Sequence, residues 1–175
     1  MNLILAEAKL IDGVGGKKEN ATLIIEGELI KEVVSGGKVP ELEGFTRVDC
    51  RGKTVMPGLI DTHVHVSGGD VVPGVDDYRV SRRMDEHLSM HAYRTLEAAQ
   101  RALRAGFTTL RDMSSRDFVD VQLRNAVSEG LVVAPRIICS GIGITMTGGT
   151  SGPNASRWTG PMKSAKRCGG RYEKG

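Results

Sequence analysis

VMPGLIDTHVHV, residues 55–66, sets two imidazoles one residue apart at the end of an apolar run. The run reads as a buried strand. Successive side chains on a strand point to opposite faces, so Leu59, Asp61, His63 and His65 are expected on one side and Ile60, Thr62, Val64 and Val66 on the other. The two rings then converge on one spot. Neutral imidazole is a good ligand for zinc and similar divalent ions, and a rigid strand leaves the pair partly organised for binding. Asp61, on the same side, is a candidate to orient a ligand ring by accepting the N–H turned away from the metal. An H-x-H pair alone also fits two surface histidines on an edge strand, so the surrounding sequence has to decide.

Upstream, NLILAEAKLIDG (2–13) and ATLIIEGELIKEVVSG (21–36) are short Leu-, Ile- and Val-rich runs parted by Gly and Asn, with Glu26-Gly27 placed as a hairpin turn. GFTRVDCRGKTV (44–55) continues in extended fashion toward the histidines. Downstream the period changes. Met84, Leu88, Ala92, Leu96, Ala99 and Leu103 recur at helical spacing between about Arg83 and Ala105, with Gly106 as the stop. FTTLRDM (107–113) reads as a strand. A second helix is expected from Phe118 to Glu129, with a stripe of Val119, Leu123, Ala126 and Val127 ending at Gly130, and PRIICSGI (135–142) as a third strand. Strands alternating with amphipathic helices imply an α/β fold with a parallel sheet, either doubly wound or part of a barrel.

Composition permits an intracellular enzyme without identifying one. At 39% hydrophobic residues in 175, the chain can bury one core of ordinary size. Cys50, Cys139 and Cys168 are odd in number and far apart, which suggests a reducing, cytoplasmic setting. MNLILAEAKLIDG has no basic residue ahead of its apolar patch, and Glu7 and Lys9 interrupt it, so neither a signal peptide nor a membrane span is expected there. Net charge is +3, unevenly placed: from Thr150 onward Arg157, Lys163, Lys166, Arg167, Arg171 and Lys174 stand against Glu173 alone.

MPGLIDTHVHV after a small β unit, then AGFTTLRDM, then APRIICSGIGITMTGG, resembles the amidohydrolase superfamily, nearest its imidazolonepropionase-like and Xaa-Pro dipeptidase-like branches. The resemblance runs from Met1 to about Gly149 and is specific, because separated motifs appear in the family's order. It implies a small β-sandwich-like unit over 1–54 and, over 55–149, about three βα units from the N-terminal part of a (β/α)8 TIM barrel. His63 and His65 would be metal ligands at the C-terminal end of the first barrel strand, the face where such barrels carry their active sites. The expected cofactor is a divalent metal, zinc first, binuclear in intact family members. The expected reaction is hydrolysis of a C–N bond by metal-activated water, in a small amide, dipeptide-like or cyclic amide substrate. The long segment from Val66 to about Ser81 would overhang the site.

In the family a lysine, two further histidines and a catalytic aspartate come from later strands, and this chain lacks them. No catalytic residue is therefore assigned, and the chain is expected to be truncated and inactive alone. His87 and His91 stand at i, i+4, but HLSMH lacks the glutamate of H-E-x-x-H, and a structural or solvent role is expected. Asp112 is placed either to reach the site or to serve as a helix cap or loop hydrogen bonder. GIGITM and GVGGKK do not meet the frames of a dinucleotide fingerprint or a P-loop.

The tail from 150 to 175 contains no Leu, Ile, Val or Phe and reads as irregular, either a disordered basic extension or an out-of-frame product. If the codons of Trp158 to Cys168 are read from their third bases, Trp158-Thr159 forces aspartate and Met162-Lys163 forces glutamate. With permitted choices elsewhere the shifted peptide is DGPDEVRKAVR, which reads as a helix start. Nucleic-acid binding is a weak candidate, since no basic-aromatic pattern repeats. Two further readings stay open: an inactive partial barrel with weak metal binding that associates through its open edge, and a basic-tailed binding module.

Overall fold

The structure, a computed structural model, describes residues 1–36, 39–67, 87–146 and 156–158. The chain divides into two compact units, Met1–Pro57 and Gly58–Gly175.

The first unit is a five-stranded sheet. β1 (Asn2–Ile11), β2 (Lys17–Glu26) and β3 (Leu29–Ser35) form an antiparallel meander. β4 (Thr46–Asp49) and β5 (Thr54–Val55) both run parallel to β1. Gly27, at φ +63, and Glu28 make the two-residue connection of the β2–β3 hairpin, the turn expected at Glu26-Gly27. Alternation buries Ile4, Ala6 and Ala8 on β1, while Ala21 to Ile24 are all buried on β2. Among the described residues this unit is a single sheet, without the second layer of the expected β-sandwich-like unit.

The second unit alternates strand and helix: β6 (Leu59–Val64), α1 (Leu88–Arg104), β7 (Phe107–Asp112), α2 (Val119–Ser128) and β8 (Arg136–Cys139). The strands are parallel in the order β6-β7-β8. Ala99 of α1, Leu110 of β7, Leu123 of α2 and Ile137 of β8 form the core, with Val64, Val66, Leu96 and Val127 packed against it. Glycines end the helices as their positions suggest. Gly130, at φ +71, donates to Val127 O and Leu131 donates to Ala126 O, the paired bonds of a Schellman cap on α2.

The buried face of α1 differs from the expected stripe. His91, Thr95 and Ala99 are buried, while Leu88 and Ala92 are exposed and Met84 lies outside the described residues. Small side chains at Thr95 and Ala99 allow close approach to the sheet, so packing set the helix rotation against the local apolar count. The tail also departs from the irregular structure expected of it. Ser156–Trp158 forms β10, parallel to β9 (Ile144–Met146), because pairing satisfies the backbone groups of two short strands. The rest of the segment from 150 to 175 lies outside the described residues, as does most of the expected overhanging loop.

Candidate metal site

Val64 and Val66 pack against the core formed by α1, α2 and the sheet. Alternation then turns the intervening His65, and His63 before it, toward the opposite face, where both are exposed. Their ring centroids lie 5.4 Å apart, edge to face. Two imidazoles sharing one tetrahedral ion, with metal–nitrogen distances of about 2.0–2.1 Å, have centroids roughly 5 Å apart, so the donor type and spacing fit two ligands of one ion. Among the described residues no third His, Cys, Asp or Glu joins them.

Asp61 lies on the same strand, two residues before His63. Its Oδ1 accepts the backbone N–H of His63 at 3.1 Å, so its described bond fixes the main chain rather than a ring. The strand is irregular here, with register shifts against β7 between Leu59 and Ile60 and between Asp61 and Val64, and a carboxylate can reach an amide two residues on. Arg111, which sequence reading did not single out, alternates with the core-facing Leu110 and Asp112 and donates from its guanidinium to Thr62 O at 3.3 Å. It thus brings a cation to the strand carrying the imidazoles.

The other titratable groups have structural positions. His87 caps α1, its Nδ1 accepting from Ser89 N–H at 3.4 Å, and His91 is buried on the inner face of that helix. Asp112 is register partner of Val64 and fully buried, which puts its carboxyl on the core side, away from the imidazole face. Burial, reinforced by the charge of Asp120, pushes its pKa up to about 6. Burial also pushes the Cys139 thiol up to about 12, and the thiol donates to Asp120 O at 3.3 Å. Asp120 itself, buried at the start of α2, accepts from Gly141 N–H and Val121 N–H at 2.8 Å each. No local motif marked it.

A parallel strand-and-helix unit of this kind has known counterparts. The profile of the Amidohydrolase family matches residues 54–171, so the chain belongs to that family. The match continues past Gly149 into the tail. Ochratoxinase from Aspergillus niger is 29% identical over 147 residues, which is 83% of this chain and 29% of that enzyme. A prolidase solved with N-methylphosphonate-L-proline is similar with a TM-score of 0.69 and 32% identity, over 85% of this chain and 34% of that one. A Xaa-Pro dipeptidase solved with methionine in its active site gives a TM-score of 0.74 at 26% identity, over 91% and 38%. The chain spans about a third of the length of these relatives.

Proposed function

We propose that the chain carries the first metal-binding segment of an amidohydrolase that hydrolyses C–N bonds in small amides, dipeptide-like or cyclic amide substrates. His63 and His65 are two ligands of a divalent ion, zinc first, and Asp61 steadies the backbone that presents His63. The observation carrying this is the pair of rings 5.4 Å apart at the end of the first parallel strand, in a chain of this family. When bound, such an ion supplies Lewis acidity toward a carbonyl and lowers the pKa of water. The chain's own part is to hold two imidazole nitrogens on an exposed sheet face backed by the core.

The parallel sheet is the opening part of a (β/α)8 barrel, and the five-stranded unit is one layer of a β-sandwich. The similarity to a prolidase and a Xaa-Pro dipeptidase supports a small dipeptide-like substrate, and that to ochratoxinase supports an amide more generally. The scarcity of cysteines supports a cytoplasmic setting. Two ligands are fewer than the three or four a zinc site normally uses. This favours, for residues 1 to 175 by themselves, weak metal binding and no turnover, with association through the free edges of β6 and β8, neither of which has an outer strand among the described residues.

Isothermal titration of the full chain with Zn2+ tests the reading. Weak binding that disappears in both His63→Ala and His65→Ala supports it. Binding that neither substitution changes overturns it.

A further inference from the structure

We propose that Asp120 is a positioning residue for His65, acting through a run of hydrogen bonds that ties together the segments leaving β6, β7 and β8; this rests on the metal reading above. His65 lies just past the end of its strand, where among the described residues no ladder partner holds it. Its neighbours are pinned instead. Val64 O accepts from Met113 N–H at 2.9 Å, and the buried Ser67 hydroxyl donates to Ser114 O at 3.2 Å. Both anchors belong to the segment leaving β7.

That segment is held in turn by a closed ring of three bonds. Ser115 N–H donates to Gly141 O at 2.8 Å, Gly141 N–H donates to Asp120 Oδ2 at 2.8 Å, and Asp120 N–H donates to Ser115 Oγ at 3.0 Å. Ser115, Asp120 and Gly141 are all buried, so water does not compete for these bonds. The Gly141 bond has an acidic side chain as acceptor, the stronger kind of hydrogen bond when ionised. Between Ser115 and Asp120 the chain passes through Asp117 and Phe118 at φ 51 and 58, left-handed conformations that side chains other than glycine adopt only where the surroundings impose them. The ring imposes them. Gly143 lies against the same segment, where an added Cβ would come within 2.5 Å of Ser114 Oγ. A carboxylate on α2 thus sets the backbone on which His65 is mounted, although it never touches the ring.

The test uses the full chain with isotope-labelled histidine, and variants whose amide spectra show the fold retained. Without metal, the His63–His65 ring-to-ring nuclear Overhauser effect reports the juxtaposition directly. Cu2+, the tightest-binding of the common divalent ions for such donors, serves as the binding probe. In Asp120→Ala the ring contact should vanish and Cu2+ affinity fall roughly tenfold, whereas Asp120→Asn, which keeps an acceptor for Gly141, should restore both to within about threefold. A folded Asp120→Ala that keeps the ring contact and the affinity overturns the proposal. If Asp120→Ala does not fold, Ser67→Ala decides at the other end of the run: loss of the ring contact supports the proposal, and an unchanged contact overturns it. Wild-type chain that binds no Cu2+ while its ring contact still depends on Asp120 sinks the metal reading and leaves the positioning role standing.

Discussion

Asp112 faces Val64 across β6 and β7, and its fully buried carboxyl therefore shares the core side with a valine. Ser114 N–H donates to its Oδ1 at 3.5 Å, while its Oδ2 has no hydrogen-bond partner among the described residues. Burial first, and Asp120 second, raise its pKa from 3.8 to about 6. Such a group binds its proton more tightly in the folded than in the unfolded chain. Its contribution to stability is complete below about pH 4 and is lost as pH rises through about 6, because the buried carboxylate must then be ionised. Asp112→Asn should flatten that fall, a difference on the order of 1–3 kcal/mol between pH 4.5 and 7.5 in urea denaturation. An unchanged pH slope would count against ionisation in the core.

The start of β6 is built for a glycine. A Cβ at Gly58 would overlap the Thr108 side chain, and the next residue, Leu59, donates to Gly106 O at 2.9 Å, so the strand cannot simply move away. Gly58→Ala should destabilise the chain by about 1–3 kcal/mol, as overpacking does. Thr108→Ala removes two of the three contacting atoms and should recover part of the loss. A double-mutant cycle showing strict additivity would rule out this contact as the cause.

Cys139 should be slow to alkylate. The thiolate is the reactive form, and a thiol pushed up to about 12 is almost wholly protonated at pH 8. Iodoacetamide labelling followed by mass spectrometry should show Cys139 reacting at least about 100-fold more slowly in the native than in the urea-unfolded chain. Comparable rates in the two states would mean that this part of the sheet opens readily.

Catalysis is expected only in a longer polypeptide. Residues 1 to 175 bring two imidazoles together and, among the described residues, no third donor. Incubating the purified chain and Zn2+ with dipeptides and cyclic amides should give no turnover above background. A protein extended to the length of the relatives should turn over, and His65→Ala in that protein should abolish the activity. Robust hydrolysis by the 175-residue chain would refute the expectation.

The order of elements was legible in the sequence because local rules govern it. Period-two and helical apolar patterns placed β6, β7, β8 and both helices, and Gly106 and Gly130 mark helix ends because each takes a positive φ there. The convergence of His63 and His65 was legible for the same reason, since alternation along one strand brings residues i and i+2 to one side. What lay beyond the sequence depends on partners distant along the chain. Packing against the sheet turned α1 onto His91, Thr95 and Ala99, and the bond from the His63 amide to Asp61 falls where β6 slips register against β7. The ring of Ser115, Asp120 and Gly141 joins residues as many as 26 positions apart and leaves no periodic trace. A hydrogen-bond partner is chosen by which donor and acceptor meet where water is excluded, and only the tertiary structure decides that.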